Sequence, residues 1–166
     1  DVLIAFGCAC RAKAVPYLDP IRILPGARCV VVKAIPSPLR QIKLLEAALK
    51  EDPAHPRAWT LLSFLRTREA GEFTPAAETA LQKSNELCGF CERDLLRWRL
   101  TYTLQHWADA DETTRMAAFR GADFLRWWYL EYDFLNQVRA NAIERGIPFD
   151  QYRRDVNSPV RPNEVN

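Results

Sequence analysis

The chain has 166 residues, 48% of them hydrophobic and 27% charged, which is the make-up of a globular domain and too apolar for a disordered chain. The basic side chains number 23 and the acidic ones 21, a formal charge of +2, so nucleic-acid binding through bulk charge is disfavoured. No apolar run approaches the roughly 20 residues of a membrane-spanning helix.

The chain opens on Asp1 rather than methionine, which fits either a fragment or an exported protein whose signal peptide has been removed. Pro16, Pro20, Pro25, Pro36 and Pro38 crowd the beginning. Residues 1–36 are therefore expected to form an irregular arm, with room for a short helix within 2–15. Val30, Val31 and Val32 give residues 28–33 the β-branched density of a single extended strand. From Pro75 to Pro148 there is no proline at all, and that stretch reads as helix. The predicted helices are 38–51, 56–70, 75–87, 92–107, 111–120 and 123–145, joined by short connections that make neighbours antiparallel. Ser37-Pro38, His55-Pro56 and Thr74-Pro75 read as N-caps followed by proline at the first helical position, His55 being a poor cap. Asp109 with Glu112 reads as a capping box. Gly71, Gly121 and Gly146 sit where glycines end helices. Beyond Pro148 the chain is polar, and residues 148–166 are expected to form an extended tail.

Five cysteines, Cys8, Cys10, Cys29, Cys88 and Cys91, leave at least one without an intrachain partner and favour an oxidising compartment. Cys88-Gly89-Phe90-Cys91 is the one motif with catalytic overtones. It admits a structural disulfide, a redox dithiol, or a metal site completed by Cys8 and Cys10. A thioredoxin-like site would follow a strand and lie near a cis-proline, whereas this motif joins two predicted helices. Two histidines, His55 and His106, leave little room for acid–base chemistry. No glycine-rich phosphate loop and no G-x-S-x-G or H-E-x-x-H motif occurs. Capping explains the carboxylates at 109–112 without catalysis.

Leu45, Ala48, Leu49, Asp52 and Pro53, followed by Trp59, Leu62, Gly71, Phe73 and Ala76, resemble the tetratricopeptide repeat. Pro53 matches the closing proline of one repeat, Trp59 and Leu62 the large residues of the next, and Ala76 the small packing position of its second helix. Ser63 replaces the usual glycine, and the closing proline is missing after residue 87. The specific match covers residues 38–87, and the helix-pair rhythm continues to about 145. Leu96-Arg97-Trp98-Arg99-Leu100 and the second helix pair also resemble small repeat-bearing proteins of bacterial polysaccharide export systems. These resemblances imply an all-α fold over 37–147, a short stack of antiparallel helix pairs whose first helices line a concave face. On that face would lie Arg57, Thr60, Phe64, Thr67 and Arg68, as a groove for an extended peptide or a partner helix. The competing reading packs Phe64 against the next helix pair and leaves the arginines solvated.

Helix 92–107 carries two apolar rows, Leu96, Leu100, Leu104 and Trp107, and Leu95, Trp98 and Tyr102. Arg99, Thr103 and His106 run between them, as further groove lining or as a buried polar network in which a neighbouring carboxylate satisfies Arg99. In helix 123–145, Phe124, Trp128, Leu135, Val138 and Ala142 form the expected core row, flanked by Trp127, Leu130 and Phe134. Its excess of aromatics suggests either an interface or a thick core.

The reading that follows is a non-catalytic scaffold or accessory subunit of an extracytoplasmic, periplasmic or secreted assembly. Its partners would be other protein subunits, in a membrane-associated complex. Nucleic acid, cofactor and metal have no place in it, and a small-molecule substrate is disfavoured. The alternatives are a dithiol or metal protein built on Cys88 and Cys91, and a polysaccharide-binding module using the tryptophan and tyrosine faces.

Overall fold

A computed structural model describes residues 37–157. Seven helices fill them, with no strand among the described residues: α1 (Pro38–Glu51), α2 (Pro56–Ala70), α3 (Pro75–Leu87), α4 (Arg93–Gln105), α5 (Glu112–Trp127), α6 (Tyr132–Glu144) and α7 (Phe149–Asn157). The arm at 1–36, with its strand at 28–33, lies outside the described residues.

Local chemistry sets the helix ends. Ser37 Oγ accepts from the Arg40 N–H at 3.4 Å, and Thr74 Oγ1 accepts from that of Ala77 at 3.2 Å. Even His55 caps α2, its Nδ1 accepting from the Ala58 N–H at 3.3 Å. Proline follows each cap, where its missing N–H costs nothing. Gly71 ends α2 at φ 78°. After α6, Gly146 stands at φ 74°, its N–H bonded to the Ile143 carbonyl and the Ile147 N–H to that of Ala142. These two bonds make a Schellman motif, which only a residue tolerant of positive φ completes without strain.

Three expected boundaries differ. Gly121 does not end a helix: α5 runs through it. A Cβ there would lie 3.2 Å from Leu96 Cδ2, so this glycine lets α4 and α5 approach closely. The break falls instead at 128–131, where Leu130 takes φ 56°. The N-cap of α5 is Asp111 rather than Asp109, its Oδ1 accepting from the Thr114 N–H at 2.7 Å. The predicted tail at 148–166 is helical in its first half, because Phe149, Tyr152 and Val156 recur at helical spacing and pack onto the core. Residues 158–166 lie outside the described set.

The elements pack in sequence. α2 lies against α1 and α3, α4 against α5, and α5 against α7. Ile42, Leu49, Leu62, Leu65 and Ala80 form the core at the α1 end. Phe73, Ala77, Leu81, Tyr102 and Ala110 form the middle. Leu96, Leu100, Phe119, Leu125, Leu135 and Phe149 anchor the largest cluster, among the last four helices. Ala77 and Ala80 are fully buried, whereas Ala76, expected at the small packing position, is exposed. Trp128, expected in the core row of the last helix, is 72% exposed because the chain breaks beside it.

Candidate functional site

Polar side chains hold α2, α3 and α4 together. Ser84 of α3 is fully buried. Its Oγ donates to the Pro56 carbonyl at 2.6 Å, lies 2.6 Å from Thr60 Oγ1, and accepts from Arg99 Nη2 at 2.6 Å. Arg99, only 2% exposed, also donates from Nη2 to the Ser84 carbonyl and from Nη1 to the Cys88 carbonyl, each at 2.6 Å. Its partners are thus the last carbonyls of α3, where the helix dipole favours a cation, and not the carboxylate that sequence reasoning supplied. Burial pulls its pKa down to about 10, which leaves it charged at neutral pH. One layer along, Tyr102 Oη donates to Thr67 Oγ1 at 2.6 Å, and burial pushes its pKa upward.

The groove residues therefore divide. Thr60, Thr67, Arg99 and Thr103 are buried between helices and line no open surface. Polar residues at helical spacing serve equally for a seam and for a groove, and here the neighbouring helix covers them. His106 is half-buried, its ring stacked on Phe73 at 5.1 Å and edge-on to Tyr102 at 4.8 Å. Burial lowers its pKa, with Arg145 adding to the shift and Asp109 opposing it. Arg57, Phe64 and Arg68 remain on the surface.

Leu61 joins these three. Positions 57, 61, 64 and 68 recur at intervals of four, three and four, one face of α2, and all four are exposed. Leu61 is 48% exposed and Phe64 39%. Phe64 meets Trp98 of α4 edge to face at 6.5 Å, and Arg57 pairs with Glu92 at the start of α4. The result is a shelf across α2 and α4 with an apolar middle and an arginine at each end. The sequence carried the spacing that adds Leu61 to the row. The contact with Trp98 is what the competing reading expected of Phe64, packing against the next helix pair, although Phe64 keeps 39% of its surface exposed.

At the α3–α4 turn the sulfurs of Cys88 and Cys91 lie at disulfide distance, their Cα atoms 5.5 Å apart. Such a pair is compatible with an oxidising compartment. The Cys91 carbonyl accepts from Tyr129 Oη at 2.8 Å. Phe90, between the cysteines, packs on Phe124 at 5.2 Å, and Phe124 stacks on Trp128 at 5.8 Å. Trp127, Trp128 and Leu130 extend this corner into solvent. Among the described residues no three His, Cys, Asp or Glu side chains gather as a metal site, and Cys8 and Cys10 lie outside that set. None of the described helices is long and apolar enough to cross a membrane.

No family model, curated protein or solved structure matches this chain.

Proposed function

We propose that this chain is a non-catalytic scaffold, a short tetratricopeptide-like stack that holds another protein subunit within an extracytoplasmic assembly. The observation that carries the reading is the exposed row Arg57, Leu61, Phe64 and Arg68 beside Trp98. A soluble monomer gains nothing by aligning large apolar side chains in water, whereas an extended peptide or a partner helix buries them. The arginines at the two ends favour an occupant with carboxylates flanking its apolar residues. The buried polar seam beneath supports this role, because it fixes α2 against α3 and α4 and keeps the shelf rigid. The cysteine pair suits an exported location.

A photocrosslinking residue placed at position 61 in the native host tests the proposal. One adduct of fixed stoichiometry is expected, lost in Phe64→Ala and in Arg68→Glu while the thermal melt of the chain stays in place. A chain that sediments as a monomer and gives no adduct from position 61 refutes the reading. So does an adduct indifferent to both substitutions.

A further inference from the structure

The turn carrying Cys88 and Cys91 has its backbone anchored at both ends by hydrogen bonds from groups other than the sulfurs. The Cys88 N–H donates to the Ser84 carbonyl at 3.2 Å, and the Cys88 carbonyl accepts from buried Arg99 at 2.6 Å. The Cys91 carbonyl accepts from Tyr129 Oη at 2.8 Å. Both ends of the motif are thus pinned to the surrounding helices by their backbones. A ring closed between positions three apart removes little entropy from an unfolded chain, so the pair is a poor staple. It is also accessible: both cysteines are only half-buried, and Gly89 and Phe90 between them are exposed. Cys88 ends α3, where the Arg99 guanidinium bonds its carbonyl, and Cys91 stands just before Glu92, which opens α4 with no side-chain bond capping that N-terminus.

We propose that Cys88 and Cys91 form a reversible thiol–disulfide exchange site whose co-reactant is a low-molecular-weight disulfide or the corresponding thiol. In the oxidising direction one cysteine thiolate attacks a sulfur of the small disulfide and expels one thiolate. The second cysteine then attacks the resulting mixed disulfide and expels the other. The two protons lost by the cysteines are taken up by the two released thiolates, and two electrons pass from the protein to the small molecule. Reduction reverses each step. Phe90, between the two sulfurs, meets Phe124 and, through it, Trp128, so a change of state at the cysteines should be read in tryptophan emission.

The test equilibrates the folded chain in glutathione buffers of graded reduced-to-oxidised ratio, with acid quenching, alkylation and peptide mapping of residues 88–91. One fully reversible transition is expected, with tryptophan emission changing over the same ratios and helical circular dichroism constant. Tyr129→Phe, which releases the Cys91 carbonyl, should shift the midpoint at least threefold in ratio toward the reduced form. If that variant fails to fold, Phe90→Ala serves instead: it should keep the transition and abolish its fluorescence change. The proposal is overturned if the disulfide resists reduction until the protein is denatured, or if the pair stays reduced at every ratio. It is equally overturned if the transition proceeds with no optical change in the unsubstituted chain.

Discussion

Replacing Arg99 with methionine isolates the polar seam, since methionine fills similar volume and forms none of the three guanidinium hydrogen bonds. Two effects oppose each other. Burial lowers the guanidinium pKa to about 10. With a tenfold change in proton affinity worth about 1.4 kcal/mol, holding the charge inside costs about 3 kcal/mol, which methionine recovers. Against this, Arg99 donates to the Ser84 carbonyl, the Ser84 hydroxyl and the Cys88 carbonyl. Hydrogen bonds from a charged donor contribute about 1.5–3 kcal/mol each, and an orphaned buried acceptor keeps its desolvation penalty. The bonds win by about 1.5–6 kcal/mol, which for a domain of this size is a fall in melting temperature of about 5–20 °C. Lysine should not rescue, because one ammonium cannot span both carbonyls in the guanidinium's planar fork. Urea unfolding at neutral pH, followed by circular dichroism, measures the loss, and hydrogen exchange at 88–89 locates it at the end of α3. A variant as stable as the parent would refute the reasoning. It would mean that the buried charge costs as much as its bonds return, as buried ionic groups sometimes do.

Three further outcomes concern other parts of the fold. His55→Asp should raise stability by about 0.5–1 kcal/mol in thermal melts, because a carboxylate caps α2 better than an imidazole and suits the helix N-terminus. His106 has a folded-state pKa held below the ordinary value by burial, so the unfolded chain binds its proton first. That contribution to stability is full above about pH 6.5 and is lost as pH falls through the folded-state pKa, and His106→Gln should flatten that limb of the stability–pH curve. Gly121→Ala should stay within about 1 kcal/mol of the parent, since helix propensity offsets a methyl that displaces only the tip of Leu96. Gly121→Val should cost about 2 kcal/mol or more through overpacking, and equal costs for the two in chemical denaturation would contradict a close-approach role.

Helix placement was legible wherever the cap chemistry was local. Ser37, Thr74, Gly71 and Gly146 act within a few residues of themselves, and the structure uses each as the sequence suggests. Gly121 misled because a glycine admitting a neighbouring helix looks the same in sequence as one ending a helix. Only the nearness of Leu96 separates them. α7 was hidden by its polar composition, although Phe149, Tyr152 and Val156 carried the period. The surface row was visible through Arg57, Phe64 and Arg68. Thr60, Thr67 and Thr103 could not be assigned without knowing which helix covers them. The partners of Arg99 were beyond sequence reasoning, because backbone carbonyls leave no mark in the residue types.

The start of α5 has one more consequence. The N–H of Asp111, its own N-cap, donates to Glu78 Oε1 at 2.6 Å, and Gln82 Nε2 donates to Asp111 Oδ2 at 2.8 Å. In an ordinary capping box the reciprocal acceptor belongs to the same helix, three residues on. Here α3 lends it across the fold. A nick in the 88–92 turn would leave a C-terminal fragment whose α5 frays at its first turn. Adding the N-terminal fragment would mend it, so the two halves should find each other and click into register as a split protein does.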